Sequence, residues 1–392
     1  MTVVPPDSRA PVLMAGRRTA IGTSGHALAG VDVIGLTAPV LAAVARAVAP
    51  LDRPIDDVVL GNCLGPGGNI ARVAALAAGL GDDVPGVTVD RQCGSGLDAV
   101  LQAASRVRAG DAELVLAGGA ESASTASWRF WPPAPGAEPV RYTRAPFAPA
   151  GRPDPDMGEA ADALAVELGI GRAEQDRYAA RSHALSHAAA TAGRFAAEIV
   201  PLPELSTDQR PRAGLDERRL ARLRPSFGPD GTATAGNSCG VSDGAAVLAV
   251  TTEGAAREAN LPYLRILGSA VAAGRPDLPG LAPAPAVRRL VDRTGVSIGD
   301  IDAVEITEAF ASVVLAAIDE LKLDEDRVCG EGGAIGLGHP WGASGAILLL
   351  RLMSRLLAPS GSVVSLGSGL GLAACAIGGG QGLAMLLAHP EA

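Results

Sequence analysis

Three stretches of this chain carry residue types that do chemistry when backbone holds them in place. In Asp90-Arg91-Gln92-Cys93-Gly94-Ser95-Gly96 a cysteine falls on the turn between an apolar run, Val87-Thr88-Val89, and a stretch patterned as a helix. Backbone N–H groups and the positive end of a helix stabilise a thiolate, so the pattern predicts a lowered thiol pKa and a nucleophile at Cys93. A small inert cysteine at a tight turn is the competing account. In Gly332-Gly333-Ala334-Ile335-Gly336-Leu337-Gly338-His339-Pro340-Trp341-Gly342-Ala343-Ser344-Gly345 a histidine is held in a glycine-rich turn just before a helix. Presented that way, His339 accepts a proton from Cys93 if the fold brings the two together; otherwise it is a loop histidine satisfied locally. The third stretch is Ala373-Ala374-Cys375-Ala376-Ile377-Gly378-Gly379-Gly380-Gln381-Gly382. Its N–H groups suit an oxyanion hole or, equally, a tight turn between core strands.

Two further patterns mislead. Gly236-Asn237-Ser238-Cys239-Gly240 fits the Gly-x-Ser-x-Gly elbow of serine hydrolases, but Ala245 to Val250 reads as a strand where an elbow needs a helix. His183 and His187 lie four apart, like metal ligands, without the glutamate of a His-Glu-x-x-His site. A solvated helix face is the expectation for the pair, and no metal is expected.

The elements that must position these residues follow from length and periodicity. The chain has 392 residues, 48% hydrophobic, 50 of them glycine, with a net charge of -9, enough for roughly two to three domains with cores. Its lone lysine, Lys322, rules out a Walker phosphate loop, and the acidic balance gives no footprint for nucleic acid. Five scattered cysteines (63, 93, 239, 329, 375) without a Cys-x-x-Cys pair point to reduced thiols in the cytoplasm. The start lacks the pattern of a secretory signal. Val363 to Ala388 is uncharged and long enough to span a bilayer, but its seven glycines predict two buried strands joined at Gly378-Gly379-Gly380, and no membrane association is expected.

Apolar runs alternate with amphipathic stretches in the N-terminal third, as in a parallel sheet covered by helices. The stretch Leu97 to Val107 reads as a helix ended by Gly110, and Leu114 to Ala117 as the next strand. A more polar, proline- and arginine-rich segment follows, with a long helix near Ala173 to Gly193. Strand and helix then alternate again: a helix from Gly342 to about Leu357 and a strand at Val363 to Leu366 echo the first unit, suggesting two related halves. The expected division is 1–121 with 225–268 as one half, an inserted domain at 122–224, and 269–392 as the other half.

Taken with Arg18-Thr19-Ala20-Ile21-Gly22, Gly61-Asn62, Asn69-Ile70-Ala71-Arg72, Asp156-Met157-Gly158-Glu159, Gly231 to Asn237 and Ile306-Thr307-Glu308-Ala309-Phe310, these motifs make the chain resemble the thiolase family along nearly its whole length. The resemblance implies a duplicated α/β fold of five layers (α-β-α-β-α), with an inserted loop domain covering coenzyme A, in homodimers or homotetramers. It implies that Cys93 takes an acyl group from an acyl-CoA or 3-ketoacyl-CoA, that His339 activates it, and that the Cys93 and Gly378 N–H groups form an oxyanion hole. Met157, Arg212 (against the adenine) and Cys239 (at the pantetheine arm) fall at substrate-binding positions. No cofactor is implied, coenzyme A thioester being substrate.

Three departures from the family pattern bear on the reaction. Thr307 stands where an asparagine usually holds a water for one oxyanion hole. Ala376 stands where a cysteine usually removes the α-proton, and Cys375, one residue earlier, replaces it only if the strand bulges locally. Cys239 stands where a serine is usual, a poorer hydrogen-bond partner. Acylation of Cys93 survives these changes, while the carbon–carbon step loses a base worth roughly 10²- to 10⁴-fold. The first expectation is a thiolase that condenses or cleaves 3-ketoacyl-CoA. The alternatives are an acyltransferase passing its acyl group to an amine, alcohol, thiol or water, and a silent acyl-CoA-binding subunit. Trp341 and the Trp128–Trp131 segment point to an altered acyl pocket or to aromatic core packing.

Overall fold

The computed structural model describes residues 8–357 and 367–392. The N-terminal half supplies β1 (Pro11–Thr19), β2 (Gly22–Thr23), α1 (Val33–Val48), β3 (Asp57–Gly61), α2 (Ile70–Ala77), β4 (Gly86–Val89), α3 (Ser95–Ala109) and β5 (Leu114–Ser122). A long excursion carries β6 (Arg129–Trp131), β7 (Val140–Tyr142), α4 (Met157–Leu168), α5 (Arg172–Thr191), β8 (Ile199–Val200) and α6 (Glu217–Leu220) before the chain returns as β9 (Ser242–Thr252) and α7 (Glu253–Glu258). The second half supplies β10 (Tyr263–Ala273), α8 (Pro283–Thr294), β11 (Ala303–Ile306), α9 (Ala311–Leu321), α10 (Ala334–Leu337), α11 (Trp341–Leu356), β12 (Leu370–Ile377) and β13 (Gln381–Ala388).

Eleven of the described strands form one sheet in the order β11-β12-β13-β10-β1-β9-β5-β3-β4, with β2 beside β9 and β8 beside β1, β6 and β7 pair separately, and the large sheet's two halves repeat one plan. In the first, β1 is antiparallel to β9, β9 to β5, and β5 parallel to β3, which is parallel to β4. In the second, β10 is antiparallel to β13, β13 to β12, and β12 parallel to β11, with a parallel Val304–Val328 bridge in the place of β4. The two half-sheets join where Val12–Met14 pairs with Tyr263–Arg265. The expected boundary at 268 falls within β10, which pairs with β1 of one half and β13 of the other.

Period-2 alternation along the strands sorts side chains into separate cores. Leu97, Val100 and Val107 of α3 and Leu349 and Met353 of α11 meet Val115 and Leu248 from one half-sheet and Ala373, Cys375 and Met385 from the other. The opposite faces bury Leu116 and Val247 under α1 and α2, and Leu372 and Leu386 under α8 and α9. Helices outside, two half-sheets and a central helix pair give five layers. The central helices approach closely: a β-carbon on Gly96 would lie 2.7 Å from the Gly342 carbonyl oxygen.

The glycine-rich tail forms the expected strand pair, β12 and β13; the expected strand at 363–366 lies outside the described residues. One helix, Val33–Leu51, is long and apolar enough to cross a bilayer, and here its apolar face packs on the first half-sheet. The Trp128–Trp131 segment does not pack into a core. Trp128 is 72% exposed beside the β6–β7 hairpin, under the Arg141 guanidinium, and Trp131 stacks on Tyr142.

Candidate active site

Backbone hydrogen bonds draw the predicted motifs to one place. The Thr307 N–H donates to the Ala374 carbonyl, the Cys239 N–H to Ala309, and the His339 N–H to Gly240 at 3.1 Å. A β-carbon on Gly94 would lie 3.4 Å from Cys375 Sγ, which brings the turn bearing Cys93 against the end of β12. The Cys239-Gly240 segment thus carries both the carbonyl that holds His339 and a thiol whose charge would act on Cys93.

Cys93 sits in a 3-10 turn, Gln92–Gly94, that feeds α3. Gln92 occupies the left-handed region at φ 47°, a conformation a non-glycine residue holds at a cost of order 1–3 kcal/mol, as tight functional turns do. The predicted low thiol pKa is not what the environment produces. Burial pushes Cys93 well above the ordinary thiol range, potential thiolates at Cys239 and Cys375 add to the rise, and the turn's backbone N–H offsets little. In the free protein Cys93 is a neutral thiol.

His339 is buried, and Gly338 before it adopts φ 117°, where a side chain would also run into Ser242. Its Nδ1 lies 2.6 Å from Ser344 Oγ, and that hydroxyl donates to the Pro340 carbonyl at 3.0 Å. With its proton committed to Pro340, Ser344 accepts from Nδ1–H, leaving the lone pair on Nε2. Nε2 is buried and has no partner. Burial pulls the His339 pKa down to about 4, so the ring is neutral at pH 7. The sequence contained this arrangement, a hydroxyl five residues on in the first turn of a helix, but nothing in its spacing distinguished Ser344 from a packing residue.

Thr307 Oγ1 is buried without a partner. Its side chain and Ser344 help line a small cavity of about 20 Å³, room for one water. The following Glu308 is committed to structure, accepting from Tyr178 at 2.7 Å, Ser182 at 2.6 Å and the Ile335 N–H at 3.1 Å. Gly378 is covered by Phe147 of the excursion, whose ring a β-carbon there would meet at 2.6 Å.

Cys375 does not take the place of Ala376. β12 pairs with β13 without a register shift from Leu370 to Ile377, so the required bulge is missing. Alternation sends Cys375 into the central core, where burial raises its thiol to about 12, while Ala376 packs beside Leu164, Leu278, Val313 and Ala316. Cys239 is likewise raised to about 12 by burial, against the lowering effect of Arg210. Met157 is partly buried at the start of α4, behind an Asp156–Glu159 capping box. Arg212 is exposed; Arg210, which sequence reasoning passed over, is the arginine that leans over Gly240.

His183 is buried, not solvated, with Nε2 2.9 Å from the Gly236 carbonyl, because α5 is wedged against the 236–240 loop rather than lying on the surface. Among the described residues no group of three His, Cys, Asp or Glu gathers as for a metal ion. Gly236–Gly240 leads into β9, not a helix.

Sequence and structure comparisons agree with this layout. Residues 11–254 match the thiolase N-terminal domain and 261–389 the thiolase C-terminal domain. The chain is 40% identical over 383 residues to the putative acetyl-CoA C-acetyltransferase VraB of Staphylococcus haemolyticus, covering 96% of this chain and 97% of that one. It is also 40% identical over 384 residues to the putative acetyl-CoA C-acetyltransferase YhfS of Bacillus subtilis, covering 96% and 98%. The crystal structure of the Bacillus anthracis acetyl-CoA acetyltransferase superposes with a TM-score of 0.88 at 36% identity, over 97% of this chain and 98% of that one. The chain belongs to the thiolase family, and it is an acyltransferase of the thiolase type.

Proposed function

We propose that Cys93 Sγ takes an acyl group from an acyl-CoA and that the acyl-enzyme then enters Claisen condensation or, in reverse, thiolysis of a 3-ketoacyl-CoA. The observation that carries this reading is the buried, unpartnered lone pair on His339 Nε2. As Sγ bonds to the thioester carbonyl carbon, Nε2 takes the thiol proton. The Cys93 and Gly378 N–H groups hold the oxygen that becomes negative, and the departing CoA sulfur recovers the proton. In condensation a base must next remove the α-proton of a second acyl-CoA. With Ala376 inert and Cys375 in the core, that base is His339, aided by a water held at the Thr307 hydroxyl. Met157, Cys239 and Arg212 serve the CoA side. The thioester is substrate, and no further cofactor is required.

A second reading, transfer of the acyl group to an amine, alcohol, thiol or water, is favoured by one observation: regular β12 leaves the α-proton without its cysteine. Intact mass after incubation with acetyl-CoA, for wild type and Cys93→Ala, separates the readings when acetoacetyl-CoA formation and cleavage are followed in the same samples. Cys93-dependent acylation with turnover in either direction supports the first. Acylation that accumulates without carbon–carbon chemistry supports the second, and no acylation at all leaves a silent binding subunit.

The assembly we propose is a homodimer or homotetramer. β4 ends the sheet with one edge unpaired among the described residues, flanked by exposed Val87 and, on α2, Val73 and Leu76, an apolar edge that a second copy would cover. Five free cysteines fit a reducing, cytoplasmic setting.

A further inference from the structure

The cavity on the Nδ1 side of His339 collects polar groups that the protein leaves unsatisfied. Its polar wall is Glu305, Thr307, Ser344 and Arg351, the remainder is glycine and apolar side chains, and neither Cys93 nor Gly378 takes part. Thr307 and Arg351 are 1% and 2% exposed, and Thr307 Oγ1 and Arg351 Nε have no hydrogen-bond partner among the described residues. Two orphaned polar atoms on the wall of one cavity call for a shared ligand, because a buried polar group without a partner is costly.

Periodicity brings the four groups together. Glu305 and Thr307 are two apart where β11 ends, so their side chains share a face, and the Thr307 N–H is held by the Ala374 carbonyl at 3.1 Å. Ser344 and Arg351 are seven apart on α11, two turns along one face. Arg351 is fixed: Nη1 pairs with Glu198, Nη2 with Glu331, and the guanidinium carbon lies 4.7 Å from the centre of the Phe195 ring. Glu305 accepts from Arg355 Nη1 at 2.5 Å.

A single water closes the count of donors and acceptors, and the cavity of about 20 Å³ has room for one. Arg351 Nε–H only donates, and the Thr307 hydroxyl, lacking a protein acceptor, donates as well, so together they fill both lone pairs of a water between them. Its two hydrogens are left for the acceptors, the Glu305 carboxylate and Ser344 Oγ. Ser344 already donates to the Pro340 carbonyl and accepts from His339 Nδ1–H, and the water fills its second lone pair. A water bound in this way cannot accept from Ser344. The Ser344 proton therefore stays on Pro340, and the hydroxyl keeps its lone pair toward Nδ1–H.

We propose that this cavity is a binding site for one ordered water, and that Thr307 and Arg351 are positioning residues that act through this water and Ser344 to keep the His339 lone pair on Nε2. This is the water that aids His339 in the reaction above; its part in acyl transfer rests on the acyl-thioester reading, its place in the cavity does not.

The test combines a high-resolution crystal structure, histidine ¹⁵N spectra of the full-length protein, and acylation by acetyl-CoA. Density for a water within hydrogen-bond reach of both Arg351 Nε and Thr307 Oγ1 is expected, and its absence overturns the proposal. Thr307→Val keeps the shape and removes the hydroxyl, and Thr307→Ser keeps the hydroxyl. In Thr307→Val the His339 resonances, identified by their loss in His339→Asn, should move from the Nδ1–H tautomer toward a mixture of the two. Acylation should slow about 2- to 12-fold in its first-order rate, the worth of one hydrogen bond, and both changes should reverse in Thr307→Ser. Arg351→Met strips buried Glu198 and Glu331 of their partner and should fold poorly, so the Thr307 pair carries the test. Wild-type spectra and rate in a folded Thr307→Val overturn the positioning role, and so does a slowed rate with wild-type spectra, which assigns Thr307 to the substrate side. If wild type does not acylate at all, the acyl-thioester reading fails, while the cavity density and the spectra of the free protein still decide the water and its hold on His339.

Discussion

Replacing Ser344 with alanine tests the arrangement of the base directly. In the folded protein the His339 Nδ1 proton has one acceptor, Ser344 Oγ at 2.6 Å, inside a buried site. Alanine leaves that N–H without a partner and removes the reason for the proton to reside on Nδ1 rather than Nε2. A buried donor stripped of its acceptor costs about 1–3 kcal/mol, and each 1.36 kcal/mol is tenfold in rate. Acylation of Cys93 by acetyl-CoA should therefore slow by about 5- to 150-fold. Rapid-quench mass spectrometry reads the first-order gain of one acetyl group, with thermal melts confirming a folded variant. Ser344→Thr keeps the hydroxyl and should recover most of the rate. If the alanine variant acylates within twofold of wild type, or threonine fails to rescue a folded protein, the tautomer assignment is wrong and another group takes the proton.

Four further outcomes follow from the same geometry. The His339 pKa near 4 lies below its unfolded value of about 6.5, so the unfolded chain takes up a proton first as pH falls; about 2 kcal/mol of stability should vanish between pH 7 and 4.5 in urea titrations, a slope His339→Asn lacks. Ala376→Cys should raise the carbon–carbon step by roughly 10²- to 10⁴-fold in acetoacetyl-CoA synthesis, and Cys375→Ser should give no such selective change. Gly96→Ala pushes a β-carbon toward the Gly342 carbonyl and should cost about 1–3 kcal/mol, seen as a lower Tm by calorimetry. Iodoacetamide should modify Cys93 slowly at pH 7, its rate still climbing past pH 9, where an ordinary thiol of pKa about 8.5 is already levelling.

Much of the fold was legible because its signals are local. The run Leu97–Val107 with Gly110 after it reads as the helix it forms, and Gly110 takes the left-handed φ of 86° that ends α3. The strand pair around Gly378–Gly380 was likewise readable from glycine placement. What the sequence could not show depends on burial. A helix start argued for an acidic Cys93, yet the packing around the sulfur outweighs the few dipoles that the turn supplies. His183 carries the periodicity of a surface pair and ends up under the 236–240 loop. Arg210 and Arg212 are indistinguishable as letters, and only the clamp of Asp208 and Gln209 onto Arg18 and Ile21 decides which one leans inward.

The free-state pair of neutral thiol and neutral imidazole has a consequence for timing. Separating charge into thiolate and imidazolium is opposed at both ends by burial, which raises Cys93 and lowers His339. Glu121 adds to this: its buried carboxylate, held by the Gly342, Cys63 and Leu64 N–H groups, further disfavours a thiolate. Proton transfer becomes favourable only when a thioester carbonyl is present to carry the negative charge into N–H donors, so attack and deprotonation proceed together. The same demand falls on the second half-reaction, in which an α-proton must leave while its enolate oxygen gains charge. A site with His339 as its one base then runs both steps only if protonated His339 can itself donate to that oxygen. Losing the Ala376-position cysteine therefore leaves one nitrogen, His339 Nε2, to accept the α-proton and, once protonated, to donate to the enolate oxygen. On this account carbon–carbon chemistry is slowed rather than abolished, and acylation, which never used that cysteine, keeps its full complement of groups.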